Sequence, residues 1–88
     1  MLAACVHTQS YTEPLVVSVK RDREQCRVTV NGERMTSETL LELGRRAPNR
    51  RGIVLYNKET PYQCTGAAIV TLQRAGLAYV ESAMCDDS

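Results

Sequence analysis

The stretch that decides the fold runs from Gly52 to Gly76. It begins Gly52-Ile-Val-Leu-Tyr-Asn-Lys-Glu-Thr-Pro-Tyr-Gln-Cys64 and closes with Leu72-Gln-Arg-Ala-Gly76. The apolar run from Ile53 to Tyr56 is too short for an ordinary helix and rich in strand-favouring types, so it predicts a buried strand. Thr60-Pro61 then predicts a helix start, because threonine can cap free amides and proline lacks an N–H that the first turn does not need. A helical stripe follows and ends at Gly76: Thr65, Ile69, Leu72 and Gly76.

A further strand is predicted after this helix, from Ala78 to Met84. Strand, polar loop, helix and strand together make a crossover that joins two parallel strands. Such crossovers are right-handed in about 98% of cases, so the helix must lie on one defined face of the sheet.

The chain ahead of the crossover predicts a hairpin. Leu15 to Lys20 alternates from Val17 onward between apolar and polar side chains, as a half-buried strand does. The charged run from Lys20 to Gln25 predicts a solvated turn. The alternation resumes from Cys26 to Val30, where the apolar face carries a thiol. Asn31-Gly32 then ends the strand, because both residues tolerate positive φ at little steric cost.

Another helix is predicted between the hairpin and the crossover. Thr36 or Ser37 caps its start, and Pro48-Asn49 ends it. Arg45 and Arg46 lie in its last turn, where they complement the negative end of the helix dipole. We prefer this interpretation of the two arginines to an anion-binding site. The apolar face of the helix is formed by Leu40, Leu43 and Ala47.

The pattern predicts an α+β fold, a two-layer sandwich in the order β-β-α-β-α-β. Two helices pack on one face of a four-stranded mixed sheet and leave the other face open. The hairpin can lie at the edge of the sheet or place its first strand inside. The open face and the unpaired sheet edges are natural sites for self-association or for a partner strand.

Length and charge exclude several classes of protein. Eighty-eight residues make one domain with a modest core. Eleven Lys and Arg against ten Asp and Glu leave a net charge of +1, and the chain has four Tyr but no Phe or Trp. A general nucleic-acid binder shows a strongly basic stripe or aromatic stacking platforms, so we expect no nucleic acid as a partner.

The N-terminal residues 1–13 are predicted to be a tether ahead of a domain that spans residues 14–85, with residues 86–88 as an acidic tail. Leu2-Ala-Ala-Cys5 resembles a bacterial lipobox, which makes Cys5 a candidate for lipidation. The alternatives are a chance run of small residues or the remnant of a longer membrane segment, because a signal peptide needs a longer apolar region ahead of the cysteine.

Several stretches together resemble the periplasmic domain of the ExbD/TolR biopolymer transport family. They are Pro14-Leu-Val-Val-Ser-Val, Val28-Thr-Val-Asn-Gly-Glu, Ile53-Val-Leu, Thr60-Pro-Tyr and Leu72-Gln-Arg-Ala-Gly-Leu. The match covers about residues 14 to 84 in the right order. The opening and close of the second helix are the most telling parts, and the series as a whole is stronger than any one motif.

This resemblance implies a non-catalytic role in energy transduction. Family members sit in the bacterial inner membrane with a channel subunit of the ExbB/TolQ type and use the proton gradient. Their periplasmic domains form homodimers, and some bind TonB/TolA-like proteins or peptidoglycan. The family's proton-carrying Asp lies in an N-terminal transmembrane helix, and this sequence has no Asp before Asp22. We therefore expect either an excised soluble domain or a relative with a lipid anchor, in both cases held at the periplasmic side of the inner membrane through the N-terminus.

The four cysteines are unlike most members of that family. If the crossovers make the second, third and fourth strands parallel, the start of the second helix and the end of the last strand lie at the same end of the sheet. Cys64 and Cys85 then meet, while Cys26 lies at the opposite end. We therefore expect a Cys64–Cys85 disulfide, as an oxidising periplasm permits. The alternative is that both are unpaired and Cys26 is a core filler.

Catalytic, cofactor and metal sites find little support in the sequence. There is no Cys-x-x-Cys pair, and the single His7 lies in the predicted tether. A Ser or Cys nucleophile therefore lacks an evident base. Two hypotheses follow: an interaction domain of a proton-driven transport complex, or a stand-alone small lipoprotein that uses the same fold to bind a ligand or protein.

Overall fold

The computed structural model describes residues 14–47 and 50–85, and within them the chain is an α+β domain with two helices and a mixed sheet. The elements in chain order are β1 (Leu15–Asp22), β2 (Gln25–Val30), β3 (Glu33–Met35), α1 (Ser37–Arg45), β4 (Arg51–Tyr56), α2 (Tyr62–Arg74) and β5 (Tyr79–Met84).

The sheet has five strands in the order β3-β2-β1-β4-β5, so the prediction of four strands was wrong by one. The additional strand is β3, which folds back antiparallel on β2 after the Asn31-Gly32 turn. Asn31 has a φ of 53° and Gly32 a φ of 81°. Two consecutive residues with positive φ make the tight hairpin turn that matches strand twist. The turn therefore ends β2 and reverses the chain, so that β3 adds a further strand to the sheet.

The crossover predicted from Ile53 to Met84 is confirmed, because β4 and β5 run parallel on either side of α2. The prediction that β2 also runs parallel to β4 and β5 was wrong. β4 pairs parallel with β1, and β2 is antiparallel to β1. The parallel set is thus β1, β4 and β5, and the hairpin places its first strand in the centre of the sheet.

The core lies between one face of the sheet and the two helices. Along β1 every second side chain is buried, and Val17 and Val19 are fully enclosed. Leu40 of α1 and Leu72 of α2 belong to the same buried cluster, so both helices lie on this face. At about 25 cal/mol per Å² of apolar surface, each fully buried Val or Leu contributes about 1.5 to 3 kcal/mol before conformational entropy is subtracted. The full buried cluster is Leu15, Val17, Val19, Val30, Leu40, Val54, Cys64, Ala68, Leu72 and Leu77.

The predicted signals are present at the start of α1 and at the end of α2. Thr36 caps α1: its Oγ1 accepts from the Thr39 amide at 3.1 Å, and the Thr36 amide donates to Thr39 Oγ1 at 2.7 Å. α2 ends just before Gly76, which has a φ of 101°. α1 ends at Arg45, and Pro48-Asn49, its predicted stop, lies outside the described residues.

The exception is the start of α2, where Pro61 is the cap residue and no side chain caps the helix. The Thr60 hydroxyl instead donates to the Val19 carbonyl at 2.9 Å and accepts from the Asn57 amide at 3.0 Å. Thr60 therefore ties the loop to the central strand.

Candidate functional site: an exposed sheet edge and open face

The clearest candidate for a binding surface is the edge strand β5. It pairs with β4 from Arg51↔Tyr79 to Tyr56↔Met84, and among the described residues no strand pairs with its outer edge. Every β5 residue except Val80 is exposed. An edge strand of six residues offers a row of backbone donors and acceptors that can take up another strand.

Two large apolar side chains on β5 face solvent. Tyr79 is 68% exposed and Met84 is 57% exposed. Scattered exposed apolar residues are ordinary on protein surfaces, but here they stand at both ends of one edge strand. The sequence predicted β5 correctly and did not indicate that its side chains would be exposed, because its mixed composition suits a covered strand equally well.

The face of the sheet away from the helices is apolar in its centre. Val16 lies beside Ile53, and Ser18 beside Leu55, and all four are half-buried. This central group is flanked on β5 by exposed Glu81. The face therefore combines an apolar centre with a polar surround, the arrangement found in many protein interfaces.

Charged side chains join the outer strands at one corner of that face. Asp22 accepts from Arg27 at 3.2 Å and from Arg34 at 3.5 Å. These exposed pairs span β1, β2 and β3. Exposed ion pairs stabilise a fold by only about 0 to 1 kcal/mol each, so they orient side chains more than they hold the sheet together.

The predicted Cys64–Cys85 disulfide is wrong. Cys64 in the first turn of α2 is joined to Cys26 of β2, with 5.6 Å between their Cα atoms. The physical reason is the antiparallel direction of β2, which brings its first residues to the end of the sheet where α2 begins. Cys85, just after β5, is engaged in a separate disulfide. Cys5, the predicted lipidation site, lies outside the described residues.

The Cys26–Cys64 disulfide borders an open groove of about 340 Å³ on the helix side of the sheet. The groove lies where α1 and α2 leave the outer strands uncovered, and its lining is mainly apolar: Val28, Met35, Leu40, Ala67 and Ala68. Sequence reasoning missed this groove, because it depends on β3 and on the placement of β2 at the outside of the sheet.

The described residues hold no group of three or more His, Cys, Asp or Glu side chains that could bind a metal ion. Glu59 and Tyr62, which follow the carboxyl end of β4, are both exposed. Within residues 14–47 and 50–85, neither helix has the length and apolar character needed to cross a bilayer.

Comparison of the chain with protein-family models, with curated proteins and with solved structures finds no match. The similarity to the ExbD/TolR family therefore rests on the sequence stretches described above and on their order along the chain.

Proposed function

We propose that this chain is a non-catalytic interaction domain of a proton-driven transport complex at the periplasmic side of the bacterial inner membrane, as its ExbD/TolR-like stretches imply. The observation that carries the proposal is the outer edge of β5, a six-residue strand that pairs only with β4 among the described residues and exposes Tyr79 and Met84. An edge strand with exposed apolar side chains, in a sheet that the helices cover on one face only, is suited to binding other protein chains.

The proposed mode of binding is strand addition. Backbone hydrogen bonds to an edge strand supply affinity, and alternate side chains supply specificity. The opposite edge is β3, which has only three residues. β5 is therefore the edge with room for a partner strand, either from a second copy or from a TonB/TolA-like peptide.

The remaining partners of the proposal come from the family resemblance. They are a channel subunit of the ExbB/TolQ type, a TonB/TolA-like protein or peptidoglycan, and a second copy of the chain in a homodimer. The anchor would be a membrane segment joined to the N-terminus, or a lipid on Cys5 in a chain whose Cys5 thiol is not held in a disulfide. The chain itself would conduct no protons, and the domain would require no cofactor.

The proposal is tested by analytical ultracentrifugation with a variant of the β5 edge. Ser82 is exposed near the middle of β5. In an antiparallel pair of β5 strands, two copies of Ser82→Lys would lie close together, and facing like charges are destabilising. We expect the wild type to sediment as a dimer and Ser82→Lys as a monomer. Gln73→Lys, which adds the same charge on exposed α2, is the matched control and should remain dimeric.

Binding to a partner is measured separately, by titrating a labelled TonB-like peptide and soluble cell-wall fragments into the wild type and Ser82→Lys. Weakened peptide binding by Ser82→Lys, with Gln73→Lys unaffected, would support strand addition. A wild type that is strictly monomeric and binds neither the peptide nor the fragments would contradict the proposed function.

A second candidate is a stand-alone lipoprotein that binds a small apolar ligand, and the groove beside Cys26–Cys64 favours it. An apolar fluorescent probe should bind the groove, and Ala67→Trp, at an exposed lining position, should block it. Loss of probe binding in Ala67→Trp with a monomeric wild type would favour this alternative. A channel-subunit gene beside the coding sequence would favour the first.

A further inference from the structure

Five arginines lie at the end of the domain where the three parallel strands begin. They come from three separate parts of the chain: the end of α1, the connection into β4, and the last turn of α2. They are Arg45, Arg46, Arg50, Arg51 and Arg74. The helix dipole accounts for a basic residue at each helix end. It does not account for Arg50 and Arg51, which lie outside both helices.

Backbone and side-chain contacts hold these segments together. The α carbon of Gly44 packs so close to Ala75 that a Cβ on Gly44 would lie 2.7 Å from the Ala75 Cβ, which fixes the end of α1 against the end of α2. Arg50 Nη2 donates to the Gly76 carbonyl at 3.0 Å. The Arg50 carbonyl accepts from the Ala78 amide at 2.8 Å. The segments that carry the arginines therefore lie together at one end of the domain, which we call the arginine end.

Few carboxylates balance the arginine end. Between Leu43 and Val80 the sequence has a single acidic residue, Glu59, which follows β4 at the opposite end of the sheet. Glu42 forms ion pairs with Arg45 at 3.7 Å and with Arg46 at 3.6 Å. Glu81 on β5 is the other nearby carboxylate. Five arginines against Glu42 and Glu81 leave an excess of three positive charges, although the whole chain carries only +1.

We infer that the arginine end is a docking surface for an anionic phospholipid membrane. Arginine binds phosphate groups well because its planar guanidinium presents several donors. Tyr79, which pairs with Arg51 at this end, is 68% exposed. Tyrosine is enriched at membrane interfaces, where its ring is partly buried and its hydroxyl stays hydrated. Arginines beside an exposed tyrosine thus suit the headgroup region of a bilayer.

The point at which the N-terminal residues join the domain also supports a membrane as the partner. Leu15 pairs with Gly52 at the start of β1, so the thirteen residues that precede Pro14 join the domain at the arginine end. A membrane attachment that led directly into β1 would bring this end of the domain towards the bilayer. A nucleic acid fits less well, because the patch is confined to one end and has one exposed tyrosine in place of a stacking platform.

This surface needs no protein partner, so its test is independent of the function proposed above. The full 88-residue chain is mixed with vesicles of phosphatidylcholine alone or with 30% phosphatidylglycerol, and bound protein is measured by flotation at low and at physiological salt. We expect binding to the anionic vesicles that weakens as salt rises, because salt screens such contacts. A lipid on the chain would bind both vesicle types alike, so the difference between them reports the arginines.

The test variant is Arg46→Gln with Arg74→Gln. Both side chains are exposed, and the Arg46 side chain is 75% exposed. Arg50 is left intact because it holds Gly76. Each basic residue near an anionic surface strengthens binding about fivefold, so the double variant should bind about 30-fold more weakly. The matched control, Lys20→Gln with Arg23→Gln, removes the same charge from exposed positions in and beside the β1–β2 hairpin and should bind as the wild type does.

Three results would overturn the inference: equal binding to both vesicle types, an equal loss in the control variant, or tight binding to single-stranded RNA that the test variant loses while vesicle binding is absent. Circular dichroism melts of both variants check that each is folded. An unfolded test variant would be replaced by Arg46→Gln alone, for which the expected loss is about fivefold.

Discussion

Removing the Cys26–Cys64 disulfide should destabilise the domain severely. The perturbation is the double variant Cys26→Ala with Cys64→Ala, which leaves Cys85 and its disulfide intact. The bond joins residues separated by 38 positions. In the chain-entropy treatment, a cross-link over about 38 residues restricts the unfolded chain by about 4 kcal/mol at 25 °C. Domains of this size are stable by roughly 4 to 13 kcal/mol, so the loss would take a third or more of the total.

The structure gives a reason why little else replaces this bond. α2 packs on β1, β4 and β5, and the first half of β2 is exposed. The disulfide is thus a cross-link between α2 and a strand that lies outside its main packing surface. We expect the outer hairpin of the double variant to become sensitive to protease before the rest of the sheet does.

The assay is urea unfolding without reductant, followed by far-ultraviolet circular dichroism. The double variant should unfold at lower urea and with a larger m-value, because its unfolded chain is less compact. Cys26→Ala alone separates the two pairings: it breaks the observed bond but would leave a Cys64–Cys85 bond untouched. An unfolding free energy of the double variant within 1 kcal/mol of the wild type, on the order of one mutation's scatter, would refute the reasoning.

Three further substitutions test the packing and the capping of the helices. Gly44→Ala should cost about 1 to 3 kcal/mol, since its Cβ would lie 2.7 Å from the Ala75 Cβ; a melting temperature equal to the wild type would contradict this close approach. Thr36→Ala should cost about 1 kcal/mol by removing the cap hydrogen bond to Thr39, whereas Thr36→Ser should restore most of it. Leu72→Ala, at a fully buried position, should cost about 2 to 5 kcal/mol in urea unfolding, and a loss below 1 kcal/mol would show that the core is looser than its burial indicates.

Local signals predicted the parts of the fold that depend on neighbouring residues. The crossover followed from the apolar run at Ile53 and the helical stripe ending at Gly76, and the α1 cap followed from Thr36. Each depends on hydrogen bonds and side-chain spacing within about a dozen residues. Features of this kind can therefore be predicted from the short stretch of sequence that forms them.

Strand order is a long-range property, and there the sequence was less informative. Leu15-Val-Val is a continuous apolar run, which is typical of a central strand covered by neighbours on both sides. The alternation in β2 is typical of a strand nearer the edge. This contrast between the two strands could have predicted that β1 lies inside the sheet. The antiparallel direction of β2 and the pairing of Cys26 with Cys64 would then have followed.

The candidate surfaces were predictable only in outline. An open face and free edges follow from the packing of two helices on one face of a sheet. Which of the two edges is the longer one depends on β3, and its three residues are too few to show an alternation of apolar and polar side chains. The arginine end was not predicted, because the segments that carry its arginines come together only when both helices and the strands β4 and β5 are in place.

The unequal lengths of the two outer strands limit how far assembly can proceed. If copies join through β5, each uses the longer of the two edges formed by the described residues, and the composite sheet then ends in β3 on both sides. Three residues that follow a tight reversal give little template for recruiting another molecule. A symmetric pair formed this way is closed, in contrast to a head-to-tail contact that would propagate into a fibre. High local concentration at a membrane would therefore yield discrete pairs instead of filaments.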